Sequence, residues 1–288
     1  MTTDTAIDGR HPRAGRVVLV AGLGLVVVAA VLLVATGNTG IRYSADHDGT
    51  VPMWNRWIPA LAGIALIRLI PPAADARWPD PAAPYREAVP LLLAGVAFAA
   101  VMPLLGGEPA YSAVKLALLL GVPAGVFLTA RRWPPRWRPA PAPTDAARRW
   151  GPALPVAVWL VLSYATPLAV PASDWGRTVT VVELVAVLLV GFAVNALLEE
   201  LFYRRWLQTR WESLLGRWPA IVLTSLVWAA WHVAIQGSGR PGVDLAAVIV
   251  NQGVIGLFLG YLWSRYRRMW PLLAAHGAVN AMPLLLGL

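Results

Sequence analysis

The chain is dominated by apolar stretches that are long enough to cross a lipid bilayer. About 20 consecutive apolar residues span the hydrocarbon core as a helix. Nine stretches meet or approach this length, at residues 17–36, 51–70, 89–105, 112–130, 152–170, 179–203, 220–236, 243–263 and 269–287. Only 14% of the residues are charged, whereas soluble domains carry about 25%. The sequence therefore predicts an all-α, polytopic transmembrane helix bundle with about nine spans, or eight if the short third stretch does not cross.

Positive charge is distributed unevenly between the two sides of this bundle. With nine spans and a cytoplasmic N-terminus, 19 of the 24 cationic residues lie in cytoplasmic segments or adjacent helix ends. The outer five are Arg42, Arg56, Lys115, Arg177 and Arg240. This bias follows the positive-inside rule and predicts a multi-pass protein of the plasma membrane whose N-terminus is cytoplasmic. Because the arginines lie between apolar runs and form no stripe, we expect the lipid bilayer, and no nucleic acid, as a partner.

A proline-rich segment divides the chain. Five prolines between Arg131 and Trp150 block helix formation and favour an extended linker. We interpret residues 1–150 as N-terminal transmembrane helices followed by a Pro/Arg-rich cytoplasmic linker. Residues 151–288 form the predicted catalytic core, because the unusual polar residues of the apolar stretches all follow residue 195.

Three groups of polar residues interrupt these later stretches. They are Glu199, Glu200 and Arg204 on the sixth, Trp228 and His232 on the seventh, and His276 and Asn280 on the ninth. Ionisable groups inside a bilayer are costly and usually functional. Glu200 and Arg204 have the four-residue spacing of an ion pair on one helix face. Glu199 points about 100° away from Glu200, so we predict that Glu199 performs the chemistry.

A glutamate beside two imidazoles suits the activation of water for peptide hydrolysis. The carboxylate can accept a proton from water, and histidine and asparagine donors can stabilise an oxyanion. Alternatively, His232 and His276 could ligate a divalent metal ion such as zinc; no other cofactor is expected. The positions of these groups along their helices allow them to meet in a cavity open to the cytoplasm.

The three motifs together resemble those of the CAAX-protease and bacteriocin-processing family of intramembrane proteases. Glu-Glu-x-x-x-Arg, aromatic-x-x-x-His and His-x-x-x-Asn occur in this order, and the likeness covers about residues 152–288. The resemblance implies an intramembrane endopeptidase acting on a peptide or protein substrate at the membrane. The resemblance also implies that Glu199 activates water and that His232 assists it. His276 and Asn280 would then form the part of the site that binds the oxyanion or a metal ion. Trp228 stands where the family usually has phenylalanine, in an expected packing role.

Two other classes of function use similar residues. A transporter or channel also places histidine and glutamate in the membrane, but its polar groups should line a path through both leaflets. A non-catalytic scaffold or immunity protein would keep the fold without needing Glu199, His232 and His276 together. Both classes stay as alternatives to the endopeptidase.

Overall fold

Each predicted apolar stretch contains a helix. The computed structural model describes residues 10–43, 49–70, 85–105, 107–129 and 150–288. Nine helices of 12 or more residues occur in these ranges: α1 (Pro12–Ala35), α2 (Trp54–Leu69), α3 (Tyr85–Leu104, ending in a 3-10 turn), α4 (Ala110–Thr129), α5 (Ala153–Tyr164), α6 (Val181–Leu215), α7 (Arg217–Gln236), α8 (Pro241–Tyr266) and α9 (Met269–Leu285). A short antiparallel pair, β1 (Gly40–Arg42) and β2 (Thr50–Pro52), lies between α1 and α2. The predicted all-α, polytopic helix bundle is confirmed.

The helices differ in how completely they match the thickness of a membrane. Six of those described, α1, α3, α4, α6, α7 and α8, are long and apolar enough to cross it. The third predicted stretch lies in a helix of 20 residues, Tyr85–Leu104. Helices α2, α5 and α9 are shorter, with 16, 12 and 17 residues. The proline-rich linker predicted before Trp150 lies outside the described residues, and the division into two regions stays a prediction.

The bundle has two ends that differ in charge. The His11 backbone N–H donates to the Leu214 carbonyl over 2.9 Å, so α1 begins beside the end of α6; we call this the N-terminal end. The Ser173 N–H donates to the Pro283 carbonyl over 2.8 Å at the opposite, distal end. In the described part of the chain, arginines are much more numerous near the N-terminal end than at the distal end. Those near the N-terminal end include Arg10, Arg13, Arg16, Arg68, Arg86, Arg210, Arg217, Arg265, Arg267 and Arg268. Those described at the distal end are Arg42, Arg177 and Arg240.

Two cationic residues assigned to the outer side from the sequence are instead buried within the bundle. Arg56 on α2 and Lys115 on α4 are 4% and 0% exposed. The Arg56 Nε donates to Asn251 Oδ1 on α8 over 3.1 Å. These side chains therefore make interhelical contacts, and the charge difference between the two ends does not depend on them.

Helices α2 and α8 approach each other closely at Gly63. A Cβ built on Gly63 would lie 2.7 Å from Cδ2 of the Phe258 ring and even closer to Cε2. Phe258 is fully buried and stacks on Trp159 of α5 with ring centroids 5.8 Å apart. The absence of a side chain at Gly63 thus lets α2, α5 and α8 pack around one aromatic pair.

Replacing Gly63 with alanine is expected to lower the free energy of unfolding by about 1–3 kcal/mol, because the added methyl group overpacks the Phe258 contact. Gly125→Ala on α4 is the matched control. No atom lies within 4 Å of a Cβ at Gly125, so the better helix propensity of alanine should leave stability equal or raise it by up to about 1 kcal/mol. Tryptophan fluorescence during thermal unfolding in detergent measures both. Equal stability of the two variants would contradict the close approach.

Candidate active site

A cavity of about 480 Å³ lies among α2, α4, α6, α7, α8 and α9. Four of the six predicted catalytic residues line it, namely Glu199, His232, His276 and Asn280. Glu200 and Arg204 are fully buried behind this wall. The structure thus brings residues from the three sequence motifs together at one place.

The Glu199 carboxylate is held at both oxygens. Lys115 Nζ donates to Oε1 over 2.5 Å, and the indole Nε1–H of Trp228 donates to Oε2 over 2.6 Å. The Glu199 side chain comes from the middle of α6, and the residue is 1% exposed. Two donors from two other helices therefore fix the plane of the carboxylate. The indole N–H of Trp228 gives this residue a polar contact that the expected packing role did not include.

Lys115 is a site residue that the sequence interpretation missed. Its ammonium group also donates to the Tyr111 hydroxyl over 2.8 Å and to Asn195 Oδ1 over 2.7 Å. It lies 5.1 Å from the centre of the Tyr111 ring and 5.0 Å from that of Trp231. The available signal was that Lys115 is the only lysine of the chain and stands within an apolar stretch, where a charge is expected to be functional.

Glu200 faces a different set of partners. Its Oε1 lies 2.7 Å from His276 Nδ1 on α9, within hydrogen-bond distance. Its Oε2 lies 3.5 Å from Arg204 Nε, one turn along α6. The Arg204 guanidinium lies over the Trp228 ring, 5.0 Å from its centre. Glu200 thus orients the His276 ring, and the two neighbouring glutamates contact separate groups as their angular separation predicts.

Helix α6 departs from α-helical geometry around these glutamates. Residues Gly191–Leu197 and Glu200–Gln208 are π-helical, and Leu198 and Glu199 lie between them. Short π-helical segments are rare and occur frequently at functional sites. The wider turns set the directions in which Asn195, Glu199 and Glu200 leave the helix.

His232 and Asn280 complete the cavity wall. His232 Nδ1 lies 3.0 Å from the Trp228 carbonyl oxygen. A proton on Nδ1 can be donated to this oxygen, which leaves Nε2 as the acceptor nitrogen of the ring. The Asn280 Nδ2 is buried and has no hydrogen-bond partner within the described part of the chain. An acceptor nitrogen and a free amide donor are therefore both present at the cavity.

The alternative metal site depends on the donors that the fold assembles. In the described ranges, no three His, Cys, Asp or Glu side chains are grouped so as to hold a metal ion. The Lys115 ammonium also occupies one oxygen of Glu199, the carboxylate on the cavity wall with His232 and His276. A cation next to that ammonium would be repelled. These side chains do not fit a three-ligand metal centre.

The cavity lies toward the distal end of the bundle. Its wall includes Tyr43 and Ser173 from the connections at that end, Gln236 from the end of α7 and Leu284 from the end of α9. The cavity therefore lies nearer the distal end than the arginine-rich end, where the sequence interpretation had located it. The reason is that His232 and Asn280 lie in the second halves of helices that start at the N-terminal end.

One segment of the chain matches a known protein family. Residues 181–282 match the family described as Rce1-like, type II CAAX prenyl endopeptidase. The matched segment begins with α6 and contains all three motifs, whereas Lys115 lies outside it. Comparisons with curated proteins and with solved structures found no match. The resemblance indicated by the motifs is confirmed over this part of the chain.

Proposed function

We propose that this chain, which resembles the type II CAAX prenyl endopeptidases over residues 181–282, is an intramembrane endopeptidase in which Glu199 activates water. One observation carries the proposal: a buried carboxylate, fixed at both oxygens, lies on the wall of a cavity shared with His232, His276 and Asn280. A general base needs this kind of fixed geometry within reach of a water molecule.

Proton transfer in the proposed reaction begins at Glu199. Its carboxylate takes a proton from a cavity water while the water oxygen attacks the carbonyl carbon of the substrate peptide. Nε2 of His232 accepts a hydrogen bond from the same water and orients it. The Asn280 amide donates a hydrogen bond to the oxyanion that forms. His276, held by Glu200, lies beside this oxyanion. The C–N bond then breaks, and the proton on Glu199 passes to the leaving amine, which regenerates the carboxylate.

Peptide cleavage by the purified protein tests this function. The protein in liposomes is incubated with a farnesylated CAAX peptide and with the same peptide lacking the prenyl group, and mass spectrometry identifies new termini. We expect cleavage of the prenylated peptide by the wild-type protein and cleavage at least about 100-fold slower by a Glu199→Gln variant. Equal cleavage by both proteins would contradict the proposed base. Stoichiometric zinc that is lost together with activity on chelation would favour the alternative in which His232 and His276 are ligands.

We also propose that the N-terminal end faces the cytoplasm, so that the cavity lies toward the outer side. The support is the charge difference between the two ends, since positive residues remain on the cytoplasmic side. A plasma-membrane enzyme in this orientation would meet its substrate within the membrane or from the outside.

The absence of cysteine from the chain gives a direct test of this orientation. Single cysteines are introduced at Thr178, exposed at the distal end, and at His11, exposed at the N-terminal end. A membrane-impermeant maleimide applied to intact cells is expected to label Thr178→Cys and to label His11→Cys only after lysis. The cysteine-free wild-type protein controls for background. The reverse labelling pattern would show that the bundle is inserted the other way round.

A further inference from the structure

A charged lysine buried among apolar helices requires compensation from its surroundings. Lys115 is fully buried, and removing an ammonium group from water costs several kcal/mol unless other groups replace the water. Three oxygen acceptors and two aromatic faces do so here, and they come from α4, α6 and α7. Among the oxygen partners of Lys115, Glu199 is the one that carries a negative charge.

The contact geometry indicates what Lys115 does for this carboxylate. The ammonium group lies on Oε1, and the Trp228 indole lies on Oε2. Asn195, one helical turn before Glu199 on α6, accepts a second hydrogen bond from Lys115. Lys115 therefore bridges two successive turns of α6, from Asn195 in the first π-helical segment to Glu199 just after it. It is not among the residues that line the cavity, so its effect on a substrate passes through Glu199.

Building on the proposed function, we propose that Lys115 is a positioning residue that keeps Glu199 ionised and correctly oriented for accepting the proton of water. The site then includes α4, which lies outside the segment that matches the endopeptidase family. An ammonium group at 2.5 Å favours the charged carboxylate over the neutral acid. Only the charged form can act as the base in the proposed reaction.

Lys115→Met is expected to lower kcat for the farnesylated CAAX peptide by about 100-fold, the lower range of the contribution from a positioned base, and to leave KM within about three-fold. The reason is that methionine preserves the length and apolar contacts of the stem but removes the charge opposite Glu199. Lys115→Arg restores a positive charge, and its kcat is expected to be at least about ten times that of Lys115→Met. Recovery by arginine separates a charge effect from a loss of packing volume.

The control variant is Arg210→Met. Arg210 pairs with Glu87 over 2.8 Å, a buried ion pair between α6 and α3 near the N-terminal end. Its loss should destabilise the protein as the loss of another buried cation does, but kcat of the folded protein should stay at the wild-type value. Thermal unfolding measures stability for both methionine variants. A similar fall in kcat in both would show that Lys115 acts only through stability.

A double variant keeps the inference testable if Lys115→Met folds poorly. Lys115→Met with Glu199→Gln removes both charges, and it should unfold at a higher temperature than Lys115→Met alone, because no unpaired carboxylate remains. An equal or lower unfolding temperature would contradict the coupling. Cleavage by the wild-type protein together with an unchanged kcat for Lys115→Met would overturn this inference alone. Absence of cleavage by the wild-type protein would overturn the proposed function and this inference with it.

Discussion

Replacing Glu199 with glutamine is expected to lower kcat by about 10²- to 10⁴-fold, the range that a positioned general base contributes. The amide preserves the shape of the side chain but cannot accept the proton of water. Cleavage of the farnesylated CAAX peptide gives kcat. Tryptophan fluorescence verifies that the variant is folded, since it leaves Lys115 without its anionic partner.

Glu200→Gln is the matched control for this variant. Glu200 contacts His276 and Arg204 behind the cavity wall, so its replacement should cost less activity or act mainly through stability. An equal loss of kcat in the two glutamine variants, with unchanged unfolding temperatures, would show that the assignment of Glu199 as the base and of Glu200 as the structural partner is wrong.

Loss of the Arg204 guanidinium is expected to produce the largest change in stability. Arg204→Met should lower the free energy of unfolding by about 3–5 kcal/mol, the usual effect of removing one partner of a buried ion pair. Arg204 and Glu200 are both fully buried, so the carboxylate left behind cannot be reached by bulk water. Denaturant unfolding in mixed micelles, followed by tryptophan fluorescence, measures the change.

The coupling between these two residues is tested in a double variant. Arg204→Met with Glu200→Gln removes both charges and should recover most of the stability lost in Arg204→Met, because an uncharged pair can replace a buried ion pair at little cost. The amide introduced by Glu200→Gln can still hydrogen-bond to His276, which keeps that ring near its position. Simple addition of the two single effects would show that Glu200 and Arg204 are not coupled.

The positions of the helices could be predicted from the sequence because membrane thickness sets the length of an apolar stretch. The separate directions of Glu199 and Glu200 followed equally directly from the angle between successive residues of a helix. These features depend on local geometry. They therefore need no knowledge of which helix packs against which.

The contact between Lys115 and Glu199 could not be predicted in this way. It joins residues 84 positions apart and depends on how α4 packs beside α6, which no local pattern specifies. The direction of the cavity was missed for a related reason. Arginines report the end at which a helix emerges from the membrane, whereas the cavity depends on where side chains in the second halves of α7 and α9 meet the distal connections. The π-helical segments also have no composition that distinguishes them from ordinary helix.

The π-helical stretch Gly191–Leu197 has a consequence for how this helix changes during evolution. A π turn closes its hydrogen bond one residue later than an α turn, so it accommodates an inserted residue without ending the helix. Deletion of one residue there would restore α-helical spacing, and the residues that follow would keep nearly the same direction. In an ordinary α-helical segment the same deletion would rotate the following residues by about 100°. A one-residue gap at this stretch in an alignment is therefore compatible with unchanged directions of the two carboxylates of the Glu-Glu motif.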